Sequence, residues 1–81
     1  MNILDEERIK SIGIGHQSLF IELKSGKIIK VPLQYTKKLT NAKILDLIDY
    51  KIIGDGIGIH FPVIDEDISL KGIIEDFYPH D

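Results

Sequence analysis

The chain has no cysteine at all and only three prolines in 81 residues. The first absence excludes disulfides, thiolate zinc sites and thiol nucleophiles together, and it suits a reducing compartment, so a cytoplasmic location is expected. Long apolar runs are missing too. None approaches the ~20 residues that a membrane helix needs, so no membrane partner is expected. The acidic start, Met1-Asn2-Ile3-Leu4-Asp5-Glu6-Glu7, lacks the apolar segment of a secretory leader, and none is expected. Internal repeats, linkers and low-complexity segments are absent as well.

What is present fits one small globular domain spanning residues 1–81, with an ordered core from about 8 to 77. Apolar residues make up 43% of the chain and charged residues 28%, a balance typical of folded proteins. A domain of this size gains most from covering exposed apolar surface, so self-association or a protein partner is expected. The net charge of −3 is unevenly placed. Residues 1–51 hold nine Lys/Arg against six Asp/Glu, whereas residues 52–81 hold one Lys against seven Asp/Glu. The acidic half would repel a phosphate backbone and could meet a basic protein surface, although such runs usually mark a solvated face.

Alternation of apolar and polar residues predicts three strands in the first half. Ile12 and Ile14 alternate with Gly13 and Gly15, which suggests a bulge or the close approach of another backbone. Leu19, Ile21 and Leu23 form a second run, and Ile29, Val31 and Leu33 a third. A three-residue loop, Lys24-Ser25-Gly26, sets Leu19 and Ile21 opposite Val31 and Ile29, so that one face is wholly apolar. That loop needs a left-handed residue at its third position, where Gly26 stands.

A connection carrying Tyr35, Lys37 and Lys38 follows. Ile44, Leu47 and Ile48 then predict a helix over about 41–49, capped by Thr40 or Asn41. Residues 50–53 read as a short strand ended by Gly54. Ser69 can cap a closing helix over 70–76, in which Leu70, Ile73, Ile74 and Phe77 form an apolar stripe. Residues 78–81 read as a frayed end. The predicted class is α+β, with a small antiparallel sheet of three N-terminal strands plus one short later strand, packed with two short helices.

The stretch 54–72 holds the residues that could carry chemistry. Gly54-x-Gly56-x-Gly58 resembles a phosphate loop, but such loops run straight into a helix, and here Pro62 follows too soon. A tight hairpin is the better reading. Asp65, Asp67 and Ser69, with Asp76 at the twelfth position, have calcium-loop spacing, yet the sixth position is Leu70 rather than glycine. Carboxylates at a helix start explain the acidic triplet as well. His60 could serve as an acid, a base or a ligand, with Asp65 and Asp67 as its partners in a divalent-metal-dependent hydrolase or metal-binding protein. The plainer reading is a half-buried imidazole bonded to a backbone carbonyl. Tyr35 beside Lys37 and Lys38 is poor evidence for base stacking, so no direct nucleic-acid contact is expected.

Val31-Pro32-Leu33, then Leu39 and Ala42, then the run from Gly56-x-Gly58-Ile59-His60-Phe61-Pro62 through Asp65-Glu66-Asp67-Ile68-Ser69-Leu70 to Gly72-Ile73-Ile74 carry a resemblance. Over about residues 9–75 the chain resembles the bacterial family catalogued as domain of unknown function 2442. Phe61 stands where that pattern usually has tryptophan, and Tyr35-Thr36-Lys37-Lys38-Leu39 lacks the proline and arginine usual there. The resemblance implies a compact α+β domain without an established activity, cofactor or bound metal. Some relatives are joined to a helix-turn-helix domain or encoded beside a second small protein in a toxin–antitoxin-like arrangement. It therefore implies a non-enzymatic accessory module that binds protein, as the neutralising member of such a pair. Candidate contact residues are Tyr35, Lys38, His60, Phe61, Asp65, Glu66 and Asp67, and no catalytic residue is assigned.

Overall fold

The computed structural model describes residues 7–78. The acidic N-terminal residues 1–6 and the tail 79–81, for which the sequence suggests no leader and fraying, lie outside the described residues. The class is α+β, built from two three-stranded antiparallel sheets and three short helices.

The first sheet is a meander of β1 (Ile9–Ile14), β2 (Ser18–Leu23) and β3 (Ile28–Pro32). Its second hairpin has the register that the apolar pattern requires, Leu19 against Val31 and Ile21 against Ile29, with Gly26 at φ 97°. All four of those side chains are buried. In β1 the pairing steps from Ile9↔Leu23 to Ser11↔Glu22, so Lys10 is an extra, bulged residue. The bulge turns both Ile9 and Ile12 to the core, although three positions apart in a regular strand would put them on opposite faces. Gly13 in β1 and Gly15 just after it lie against both Phe20 and the β2 backbone, the Ser18 carbonyl oxygen standing 3.3 Å from a Cβ built on Gly15. A Cβ on Gly15 would stand 3.2 Å from the Phe20 ring, and one on Gly13 would stand 3.6 Å from the Phe20 Cβ.

The next stretch departs from the single helix expected over 41–49. A 3₁₀ turn, Leu33–Tyr35, leads into α1 (Lys37–Thr40), and a separate turn of helix, α2 (Ile44–Leu47), follows. Capping explains the division. The Thr36 hydroxyl accepts from the Leu39 N–H and starts the first helix early, while the Asp46 carboxylate accepts from the Lys43 N–H and starts the second. Leu39 and Leu47 are the buried anchors of the two turns.

Two strands beyond the expected one complete a second sheet, in the order β4 (Lys51–Ile53), β5 (Gly58–Phe61), β6 (Glu66–Ser69). The glycine cluster is the β4–β5 turn, with Gly54, Asp55 and Gly56 at φ 61°, 58° and 98°. Three successive left-handed residues are tolerable only with glycine or a short polar side chain at each. Residues 62–65 form the β5–β6 turn, closed by Asp65 at φ 52°. The acidic triplet thus belongs to a turn and a strand, not to a helix start. Only Ser69 has the expected capping role, its hydroxyl accepting from the Gly72 N–H at the head of α3 (Leu70–Phe77).

One core joins these parts. Leu19, Ile21 and Val31 come from the first sheet, Ile59, Phe61 and Ile68 from the second, and Leu70, Ile73 and Ile74 from α3. Each full side-chain burial stabilises by about 1.5–3 kcal/mol. Tyr78 is no frayed end: it packs on this core, and its hydroxyl takes the Lys27 ammonium, which also lies over its ring.

The sheets meet at the glycine turn, where the Gly56 carbonyl accepts from the Ile9 N–H at 2.9 Å. A Cβ on Gly56 would lie 2.9 Å from the Arg8 Cβ and 3.0 Å from the Ile9 nitrogen, whereas a Cβ on Gly26 meets nothing within 4 Å. The two glycines share nearly the same φ. Gly26→Ala should therefore cost only the backbone term, about 1–2 kcal/mol. Gly56→Ala adds overpacking, for about 2–5 kcal/mol in all. Urea midpoints of the two variants check this, and equal losses would refute the close approach.

Candidate functional site

The outer face of the second sheet carries the polar residues singled out in the sequence. Antiparallel pairing places Lys51, His60 and Asp67 in one row across the three strands, and Ile53, Gly58 and Ser69 in the next. Directly opposed side chains share a face, so both rows look away from the core. His60 Nδ1 lies 2.5 Å from Asp67 Oδ1. A carboxylate only accepts, so the ring proton sits on Nδ1, and Nε2 is turned free of this bond. The bond partner is therefore a cross-strand carboxylate, not the backbone carbonyl expected from sequence.

Asp67 remains 69% exposed in its side chain. An ion pair that open to water contributes little to stability. The hydroxyl on the same strand face, that of Ser69, is taken up by capping α3. Among the described residues, no hydroxyl is hydrogen-bonded to the imidazole. Among the described residues, no three or more His, Asp or Glu side chains are grouped to hold a metal ion. His60 and Asp67 stand together, and Asp65 does not join them.

The remaining candidates disperse. Asp65 lies in the β5–β6 turn, and its backbone carbonyl accepts from the Lys38 ammonium at 2.8 Å, tying α1 to that turn. Glu66 turns back on its own strand, its carboxylate accepting from the Asp67 N–H. Phe61 has no exposed surface and is a core residue rather than a contact residue. That role follows from its pairing, since it is two residues from Ile59 on the inward face of β5.

Tyr35 sits apart, half-buried against α3. Its ring meets Phe77 edge to face with centroids 4.9 Å apart. Burial first, then a hydrogen bond to the Asp76 carboxylate and the charges of Asp76 and Glu75, raise its phenol above the ordinary value of 10.0. The hydroxyl also occupies the space beside Gly72, where a Cβ would come within 2.8 Å of it.

Sequence reasoning passes over the apolar neighbours of the polar row. Ile53 leans across Gly58, where a Cβ would stand 3.2 Å from Ile53 Cγ1. Beside it a shallow hollow is lined by Ile53, Ile57, Gly58, Asp67, Ile68 and Ser69. A second hollow, lined by Ile57, Ser69, Leu70 and Lys71, adjoins it. Ile57 is common to both and is 53% exposed. Its signal in the sequence is an isoleucine between Gly56 and Gly58, a large apolar side chain placed on a turn.

Two expectations follow from Tyr35. A raised folded-state pKa means that its contribution to stability is complete below pH 10 and is lost as pH rises through the folded value. Stability curves of the native chain and Tyr35→Phe should therefore converge in slope below pH 10 and diverge above it, with the native chain falling faster. Second, alanine in a helix interior normally gains about 1 kcal/mol over glycine. A Cβ on Gly72 would also stand 3.2 Å from the Ser69 hydroxyl, so Gly72→Ala should gain less than that figure, and more in the Tyr35→Phe background than in the native chain; an equal change in both backgrounds would exclude the Tyr35 contact.

A family model described as Protein of unknown function (DUF2442) matches residues 9–79. Among curated proteins none matches the chain. Among solved structures, a protein of unknown function from Rhodospirillum rubrum ATCC 11170 is similar at a TM-score of 0.77 and 22% identity, over 93% of each chain. At that identity the likeness concerns the fold. No described helix is long and apolar enough to cross a membrane.

Proposed function

The chain belongs to the family Protein of unknown function (DUF2442), and on that premise we propose that it is a non-enzymatic accessory module that binds another protein through the outer face of its second sheet. The observation that carries this reading is the pair of adjoining hollows around Ile57. They offer exposed isoleucine side chains next to a polar row, the usual make-up of a recognition surface with an apolar centre and a charged rim. The imidazole is bonded to Asp67 and the Ser69 hydroxyl to a helix terminus, so the polar groups there support shape and charge more than chemistry.

The partner that suits this face inserts an apolar side chain beside Ile57 and carries basic residues at its margin. Residues 52–81 hold seven acidic residues against one lysine, and one of the acids, Asp67, lines a hollow. Charge of this kind speeds encounter and selects the partner more than it tightens the complex. The finer reading, a cytoplasmic neutralising member of a toxin–antitoxin-like pair, specifies the same geometry with a basic toxin as the partner.

Pull-down from native lysate with the tagged full chain tests the reading. A stoichiometric partner is expected that weakens as salt rises, is lost with Ile57→Glu, and is retained with Ile28→Glu, a substitution at a somewhat more exposed site on the first sheet. Recovery of no stoichiometric protein, or capture indifferent to Ile57→Glu, overturns it.

A further inference from the structure

Polar side chains without a partner gather at one end of the first sheet. Where β1 turns into β2, a hollow of about 340 Å³ is lined by Gly15, His16, Gln17, Ser18, Phe20 and Lys30. A second hollow, of about 190 Å³, shares His16 and Gln17 with it and continues to Leu33, Gln34 and Thr40. The chain has thirteen acidic residues and a net charge of −3, yet among the described residues no acid lines either hollow. The Lys30 ammonium, the His16 imidazole and the amides of Gln17 and Gln34 make no hydrogen bond among the described residues. Backbone bonds fix the arrangement. The Gly15 N–H donates to the Ser18 carbonyl at 2.8 Å, and the Leu33 N–H to the Gln17 carbonyl at 3.0 Å, so the turn is closed on itself and tied to the residue that follows β3.

Phe20 supplies the apolar wall of the larger hollow and keeps 41% of its surface exposed. In its row across the sheet it faces Gly13 on one side and Lys30 on the other. Gly13 and Gly15 carry no side chain over the ring, and the fit is close, since a Cβ on Gly15 would stand 3.2 Å from its Cε2. Cross-strand pairing puts the Lys30 and Phe20 Cβ atoms about 5 Å apart. The ammonium therefore reaches a group attached to a ring laid on the phenyl. Glu22 in the adjoining row accepts from the Ser11 hydroxyl at 2.8 Å and lies outside the hollow.

We propose that this end of the first sheet binds a nucleoside monophosphate, with the base stacked on Phe20 and the phosphate held among Lys30, His16 and Gln17. An exposed aromatic ring beside a cation is the combination on which proteins stack bases, and every base has a face that suits it. Lysine meets a phosphate as a point charge, and the imidazole and amide add N–H donors. A single nucleotide suits the site better than a strand. One aromatic side chain lines the hollow, its volume lies at the lower end of the range for small-ligand sites, and the negative net charge opposes a polyanion. The site shares no lining residue with the hollows around Ile57, so it stands independently of the protein-binding role.

Amide NMR titration of the full chain with adenosine monophosphate tests the proposal. Saturable shifts centred on residues 15–20 and on Lys30 are expected. Adenosine alone and inorganic phosphate alone should each bind at least tenfold more weakly. Phe20→Leu and Lys30→Gln should each weaken binding at least fivefold while far-UV circular dichroism stays native. Phe20→Tyr should retain binding, as should Lys37→Gln, which alters a lysine outside both hollows. No saturable binding at millimolar nucleotide overturns the proposal, as do shifts centred elsewhere or binding indifferent to Phe20→Leu and Lys30→Gln. Inorganic phosphate that binds as tightly as the nucleotide overturns it too, as does a single-stranded oligonucleotide that binds where the mononucleotide does not. Ile57→Glu should leave the titration unaltered, so loss of the lysate partner and loss of nucleotide binding are read separately.

Discussion

One backbone contact sets where the two sheets meet over their shared core. The Gly56 carbonyl takes the Ile9 N–H, and the absence of a side chain on Gly56 lets β1 lie almost directly on the turn. From that contact follow the bulge at Lys10, which keeps Ile9 facing inward beside it, and the left-handed run through Gly54, Asp55 and Gly56, which aims the carbonyl. The Ile57 carbonyl then accepts from the Leu70 N–H and fixes where α3 begins. A single turn thereby positions the first sheet, the last helix and the isoleucine that stands between the outer hollows.

The legible parts of the fold were those in which neighbours along the chain suffice. The β2–β3 register followed from which residues must share a buried face, and α3 from its apolar stripe and the Ser69 cap. The α+β class followed as well. The second sheet was hidden because β5 and β6 bury alternate residues within a run dense in glycine and acid, Ile59 and Phe61 on one strand and Ile68 on the next. Nothing local distinguishes Glu66 and Asp67 in a strand from the same pair at a helix start. Thr36 was similarly opaque, since a threonine caps only if the chain turns after it, and that depends on where Leu39 finds its pocket.

Of the candidate site, the sequence named both members of the one polar pair that forms, His60 and Asp67, without showing that they face each other across two strands. It also offered Phe61, whose ring lies wholly within the core. Tyr35 and Lys38 turned out to brace the fold, one under α3 and the other across to the β5–β6 turn. The apolar residues that give the outer face its shape were overlooked because an exposed isoleucine becomes informative only when others are known to lie beside it.

The span closed by the Ile9–Gly56 bond bears on how the chain reaches this state. Each sheet is a meander of adjacent hairpins, and such local pairings form quickly. The bond between the sheets instead closes a loop of about fifty residues, at an entropic cost of ~3 kcal/mol. Sheet formation is therefore a local event and docking of the sheets a global one, in which the start of β1 is locked by a turn made much later in the chain. Until that turn exists the β1 edge has no cover, so the same glycines that shape the native state also end the interval in which a nascent chain is most open to misassociation.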